Sequence, residues 1–301
     1  ISFLIENIKI LDHELDKLNV GLSIIKTDGF ESDPLKILSF FEDNNFDTLY
    51  FNNTFGEDEN SRDSHIKELF DNCGYVYKTY TDQILFEPGS IRTIENKAYS
   101  VFTPFKRKWL EKFNIDLLDI EYKYVAKNKK ILDSNINNID FDITNDDRLS
   151  LWELGEKGSK KILTNFLENK VKRYNEDRND PIIDGTSRIS PYLALGILSS
   201  KRCILEALKL NNLDIHSGNK GILKWIDEIV WREFYRNIMH SFPKVSKGRP
   251  FQEYTDNINW RYDESEFHAW KNGVTGFPII DAAMRQMNQE GWMHNRLRMV
   301  V

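Results

Sequence analysis

Cysteine is nearly missing from this 301-residue chain: Cys73 and Cys203 are the only two, far apart and with no metal-ligand spacing around either. A disulfide scaffold and a zinc site are excluded on that ground, and a reducing compartment is the expected setting. Long apolar runs are also lacking. None approaches the roughly 18–20 residues that a bilayer-spanning helix needs, so no membrane partner is expected. Positive charge is short, with 41 Lys and Arg against 47 Asp and Glu and a formal net charge of −6. That balance weighs mildly against a nucleic-acid partner. It is uneven, however: residues 221–301 hold 11 Lys and Arg against 10 Asp and Glu, a net of +1, which leaves −7 for residues 1–220. A binding face can therefore be local. Low-complexity tracts and internal repeats are missing as well.

What is present is ordinary in balance, with 40% hydrophobic and 29% charged residues. The length favours two domains over one core. The chain opens at Ile1 rather than Met and closes on Met299-Val300-Val301 without a helix stop signal, so a fragment is expected. Seven Trp are present, and Trp225, Trp231, Trp260, Trp270 and Trp292 all fall in the C-terminal third. A large aromatic core would explain them; their mixture with Arg, Glu and Asn makes a site the sharper reading.

Helix-like and strand-like segments alternate over residues 1–90. A helical stretch near 2–18 leads to an apolar run at Val20–Ile25. Ser32-Asp33-Pro34 reads as an N-cap with Pro in the first turn of a helix reaching Phe41. Leu49-Tyr50-Phe51 reads as a short strand, Asp63–Phe70 as a helix ending at Cys73-Gly74, and Tyr75–Tyr80 as strand again. Such alternation implies a doubly wound parallel α/β domain, here lacking its first strand. Its expected span is 1–110. Lys, Asn and Asp then dominate a connector over 111–150, and from 151 to 301 the pattern is helical only.

Three blocks carry chemistry. In Gly185-Thr186-Ser187-Arg188-Ile189-Ser190-Pro191, hydroxyl and guanidinium donors stand beside a helix start, which suits a phosphate or pyrophosphate. A plain capping turn would use the same residues. In Gly221–Arg236, apolar positions recur at helical spacing, and Glu228 and Arg232 can pair at i, i+4. Trp225 and Trp231 lie about one turn either side of Glu228, so its carboxyl is expected to resist ionising. A buried helix with one salt bridge is the alternative. In Gly276–Met299, Pro278 opens a helix and Gly291 breaks it. On the next helix Asn295, Arg298 and Met299 share a face, and an amide, a cation and a thioether are poor core material.

These blocks, in this order, resemble the photolyase and cryptochrome family. The resemblance rests on Gly185–Pro191, on Trp225, Glu228 and Trp231–Arg236, on Arg249-Pro250-Phe251 with Thr255, Asp256 and Trp260, on Gly276–Gln286 and on Gly291–Met299. Ala98–Leu110 matches the segment that closes the family's α/β domain. The resemblance implies an α/β domain joined to a helical domain that binds FAD. By position, Tyr174, Thr186, Ser187, Arg188, Ile189 and Ser190 would cradle the flavin phosphates. Trp225, Glu228 and Arg232 would lie along the cavity, with Asn295 and Arg298 near the isoalloxazine and adenine of the cofactor. Glu228, Trp231, Asn295 and Met299 would form the pocket for a flipped-out pyrimidine dimer. Arg178, Arg285 and Arg296 would grip DNA phosphates, and Trp260 matches the surface end of a tryptophan electron relay.

Within the family, Asn295 resembles cyclobutane-dimer photolyases, where plant-type cryptochromes look more like Asp and photolyases for the other photoproduct carry His-His. Trp231 and Met299 point the same way. The implied activity is light-driven dimer repair by a monomer in the bacterial cytoplasm; a blue-light receptor without repair is the runner-up. A folate antenna (methenyltetrahydrofolate) would contact Glu95 and Lys247, with Ser246 where a Cys is common. The chain stops before the family's later flavin helices and the inner relay tryptophans, so catalysis is expected of the full-length parent only.

Overall fold

In the computed structural model, which describes residues 1–118, 124–136 and 146–301, the first half is built on one βαβ unit. Helix α1 (Ser2–Asp16) opens the chain, and α2 (Asp33–Asp43) follows with Pro34 in its first turn. Strand β1 (Thr48–Asn52), helix α3 (Glu57–Cys73) and strand β2 (Val76–Tyr80) complete the unit. The strands pair in parallel, from Thr48 opposite Val76 to Asn52 opposite Tyr80. Helix α3 starts six residues before the expected Asp63 because Glu57, Asp58 and Glu59 fill its first turn, where the helix dipole favours negative charge. It stops at Gly74, whose φ of 72° is a left-handed backbone that costs glycine nothing. Phe41, Ile66 and Phe70 form a small core between helices and sheet, with Leu49, Phe51 and Tyr77 against it.

One expectation fails here. Ser32 does not cap α2 with its side chain; its hydroxyl donates to Gly29 O and accepts from Asp28 N. The apolar run Val20–Ile25 forms no strand. Its backbone is taken by polar side chains of the connector: Leu22 N donates to Ser134 Oγ at 3.0 Å, and Asn135 both accepts from Ile24 N and donates to Ile24 O. The rest of the connector expectation falls partly on residues 119–123 and 137–145, outside the described residues.

The second half is helical, and among the described residues no strand follows Tyr80. Helix α4 (Phe102–Lys112) closes the first half, and the second half contains α5 (Gly155–Asn169), α6 (Tyr174–Asp177), α7 (Ser190–Ala194), α8 (Ser200–Lys209), α9 (Lys220–Ser241), α10 (Glu264–Asn272), α11 (Pro278–Glu290) and α12 (Asn295–Arg298). The 22-residue α9 is the axis. Asn219 caps it by accepting from Gly221 N and Ile222 N, and Ile222, Ile226, Ile229 and Val230 recur at three- and four-residue steps into the main core. A Cβ on Gly221 would stand 2.3 Å from Val171 O, so only glycine lets α9 pass this backbone. Phe105 and Trp109 of α4 are fully buried in the same core, each worth about 1.5–3 kcal/mol of burial. Helix α4 thereby fastens the first half to the second. Helix α1 does likewise: Phe3 packs edge-on to Trp152 and Tyr192, and buried Asn7 accepts from Gly155 N at 2.7 Å. A smaller core of Ala283, Met284, Met293 and Leu297 joins α11 to α12.

Candidate active site

Helix α9 presents different residues to different partners. Trp225 is buried, tilted against Phe166 at 5.2 Å, and its Nε1 donates to Ser187 Oγ at 3.2 Å. One turn on, Glu228 meets Arg178, which approaches within hydrogen-bonding distance, and Lys224 at 3.9 Å. The expected Glu228–Arg232 pair does not form. Arg232 turns instead to two backbone carbonyls, Gln83 O and Leu193 O. The expectation of a carboxyl shut between two indoles fails as well, because Trp231 points elsewhere. It stacks on Phe102 at 3.6 Å and 9°, and Tyr235 lies 5.6 Å from it.

Arg178 anchors a second cluster. Its guanidinium lies 5.6 Å from the ring centre of Tyr174, a buried tyrosine whose hydroxyl is pushed up to about 12 by desolvation and by the Glu228 charge. Gly185 allows a close turn here: a Cβ would meet the Asp177 side chain at 2.7 Å. After it, Thr186 and Ser187 are half-buried, Ile189 goes into the main core and Ser190 is exposed. Arg188 takes a φ of 51°, uncommon for a non-glycine residue, and this aims its guanidinium at Glu290 and over the Trp292 ring at 4.4 Å.

The last block closes on this segment. Arg296 donates through Nε and Nη2 to Asn179 Oδ1 at 3.0 and 2.7 Å. Asn295, Arg298 and Met299 are exposed, and Arg298 reaches Met287 Sδ at 3.7 Å. The structure thus brings Tyr174, Arg178, Ser187, Arg188, Trp225, Glu228 and the 292–299 block into one neighbourhood. It does not bring in the others. Trp231 and Arg232 face the junction between the halves. Arg285 donates to Gly273 O, and Trp260 is exposed. Glu95 pairs with Lys97 and Lys247 with Glu57, so the two antenna candidates do not meet.

Sequence reasoning passed over four residues. Glu233 is buried and accepts from Leu85 N and Phe86 N, and Asn237 accepts from Gly89 N. Burial pushes the Glu233 carboxyl up to about 7. The signal was available: Glu233 and Asn237 sit on the stripe of Ile226, Ile229 and Val230, where a polar residue must have a partner. Trp292 and His294 gave no such signal, because the Arg188 guanidinium that covers Trp292 comes from a distant part of the chain.

Two families of known sequences match: DNA photolyase over residues 1–123, and the FAD binding domain of DNA photolyase over 225–301. The chain belongs to the DNA photolyase family. A deoxyribodipyrimidine photo-lyase of Buchnera aphidicola is 34% identical over 304 residues, covering 100% of this chain and 62% of its own length. One from Vibrio cholerae is 33% identical, covering 97% of this chain and 62% of its own. The crystal structure of a bacterial class III photolyase from Agrobacterium tumefaciens has a TM-score of 0.86 at 29% identity, over 99% of this chain and 61% of that one. The chain therefore spans about three fifths of the length of these photolyases.

Family membership implies FAD, and the residues fit a phosphate-bearing cofactor. Buried polar atoms normally have partners, yet Arg188 Nε and His294 Nε2 are enclosed and have none. Arg188 follows the close turn at Gly185, and His294 shares the Trp292 ring with it as a neighbour. No helix among the described residues is long and apolar enough to cross a membrane.

Proposed function

We propose that the protein repairs cyclobutane pyrimidine dimers in DNA with light, as a dimer photolyase rather than a blue-light receptor. The observation that carries this is the meeting of the 174–190 segment, the Trp225–Glu228 stretch of α9 and the 292–299 block in one cradle. Tyr174, Thr186, Ser187, Arg188 and Trp225 would hold FAD there, and Asn295 and Arg298 would flank it. Reduced flavin supplies the light-excited electron, chemistry the side chains lack.

The chain's own residues do the rest. A dimer stacked in duplex DNA must be flipped out to reach a recessed site, and a damaged pair is the least costly to open. The exposed Asn295–Met299 face, with Met299 70% exposed, offers a wall for it. Arg178 and Arg296 supply cations for DNA phosphates. Glu228 acts on the charge that grows at a thymine carbonyl. Asn295 and Met299 favour cyclobutane dimers over the alternatives.

The test is blue-light repair of an oligonucleotide carrying one thymine dimer, by the full-length protein with reduced flavin. Light-dependent loss of the dimer, absent in the dark, is the expected result. Tight flavin binding with no repair would move the protein to the receptor side.

A further inference from the structure

The cradle contains an imidazole whose protonation is set by the fold. His294 is 3% exposed, and its Nδ1 accepts the Arg296 backbone N–H at 3.2 Å, capping α12. An imidazole that accepts at Nδ1 and is neutral carries its proton on Nε2. Burial, followed by the charges of Arg296 and Arg188, lowers the His294 pKa from its ordinary 6.5; Arg178 acts the same way and Asp180 opposes them. The ring is therefore neutral at physiological pH, with one N–H to give.

That N–H has nothing to give to. His294 Nε2 is enclosed and meets no acceptor among the described residues, and Arg188 Nε is also without a hydrogen bond, the Asp184 carboxylate standing off at 3.8 Å. The two side chains share a neighbour. Arg188 lies over the Trp292 ring at 4.4 Å, and the His294 ring stands edge-on to that indole at 6.2 Å and 89°. Arg188 has a second carboxylate nearby, Asp184 at 3.8 Å, and Arg296 is the guanidinium of this cluster that has no carboxylate partner among the described residues. Arg178 is matched by Glu228 and Arg188 by Glu290, but Arg296 bonds only the neutral amide of Asn179 and the sulfur of Met299. Two unspent donors and an uncompensated guanidinium call for an anionic acceptor.

We propose that His294 is a ligand-contacting residue, its Nε2–H donating to a phosphate oxygen beside Arg188 and Arg296. This rests on the proposed function, in which phosphate is the anionic group of both ligands, the flavin dinucleotide and DNA. Both sources present the same oxygen chemistry, and the experiment separates them.

Two substitutions divide the functions of the ring. His294→Asn keeps an oxygen that can cap α12 but removes the distal donor, whereas His294→Gln restores a donor near Nε2 and loses the cap. In the ¹⁵N-histidine-labelled full-length protein, the His294 ring should appear as the neutral Nε2–H tautomer at pH 7, and its resonance should move when a phosphate ligand is added. The probes are FAD and a short undamaged single-stranded oligothymidylate, each tested alone. His294→Asn should weaken one of them about tenfold, the loss of one hydrogen bond to a charged group, and His294→Gln should recover most of it. Loss confined to FAD assigns the flavin pyrophosphate; loss confined to the oligonucleotide assigns the DNA backbone. An Nδ1–H tautomer, an imidazolium, or a resonance unmoved by both probes with both affinities unchanged would overturn the proposal. None of these readings requires repair, so a failed repair assay and a failed His294 assignment are distinguishable.

Discussion

Replacing Glu233 by Gln should change stability in a pH-dependent way, because a buried carboxyl here both clamps the two halves and resists its own charge. Glu233 accepts from Leu85 N and Phe86 N, each at 3.0 Å, and is 3% exposed. Its pKa rises from the ordinary 4.5 to about 7, chiefly through burial. Between those values the unfolded chain has lost the proton and the folded chain keeps it, so stability falls as pH rises. A shift of that size amounts to about 3 kcal/mol, lost across roughly pH 4.5 to 7 and level above it. Gln cannot ionise, so it avoids that loss. It offers one acceptor oxygen rather than two, and one backbone N–H goes unpaired at a cost of about 1–3 kcal/mol. Chemical denaturation of both proteins at pH 5 and pH 8.5 isolates the difference. Glu233→Gln should be less stable at pH 5 by about 1–3 kcal/mol and should draw level or pass the wild type at pH 8.5. An equal deficit at both pH values would refute the reasoning.

Three further outcomes are expected. Glu228→Gln should lower the repair yield at saturating dimer DNA while leaving DNA binding intact; an undiminished yield with binding preserved would remove Glu228 from the chemistry. Trp225→Phe keeps the contact with Phe166 but deletes the Nε1 bond to Ser187. It should cost about 1 kcal/mol in denaturation and loosen retained flavin measurably, and unchanged flavin retention would separate Ser187 from the cofactor cradle. Gly221→Ala drives a methyl to 2.3 Å from Val171 O and 2.4 Å from Lys172 O, both backbone atoms with little room to yield. The melting temperature should fall by several degrees, as for other overpacked sites costing about 1–3 kcal/mol, and an unchanged value would show that α9 can shift.

Local signals survived into the structure where one segment carries its own reasons. The βαβ unit could be read from apolar runs and from Cys73-Gly74, and α9 from its three-and-four spacing. Val20–Ile25 could not. Its apolar residues suit a strand, but Ser134 and Asn135, more than a hundred positions away, offered its backbone other partners. Periodicity reports which face is buried and not what lies opposite. For the same reason the close turn at Gly185 was recognisable from its own residues, whereas the Arg188–Trp292–His294 arrangement was not. It exists only because Arg296 reaches Asn179 and Arg188 reaches Glu290 across the fold.

The fate of Arg232 shows why spacing misled. A Glu–Arg pair at i, i+4 on an exposed helix stabilises by about 0.2–0.5 kcal/mol. Leaving a part-buried guanidinium without an acceptor costs about 1–3 kcal/mol or more. Arg232 therefore goes to Gln83 O and Leu193 O, and Glu228 is released to Arg178. With Glu233 on Leu85 and Phe86, Asn237 on Gly89 and Asp227 on Lys106 at 2.6 Å, α9 grips the first half along its length. The same helix sets Trp225 and Glu228 in the cradle. A substitution in the grip should therefore disturb the site through α9 itself: Arg232→Met should lower stability and also change how Glu228 meets Arg178. A double-mutant cycle between Arg232→Met and Glu228→Gln, read by denaturation, should give a coupling energy of at least about 0.5 kcal/mol, and strict additivity would mean that grip and cradle are independent.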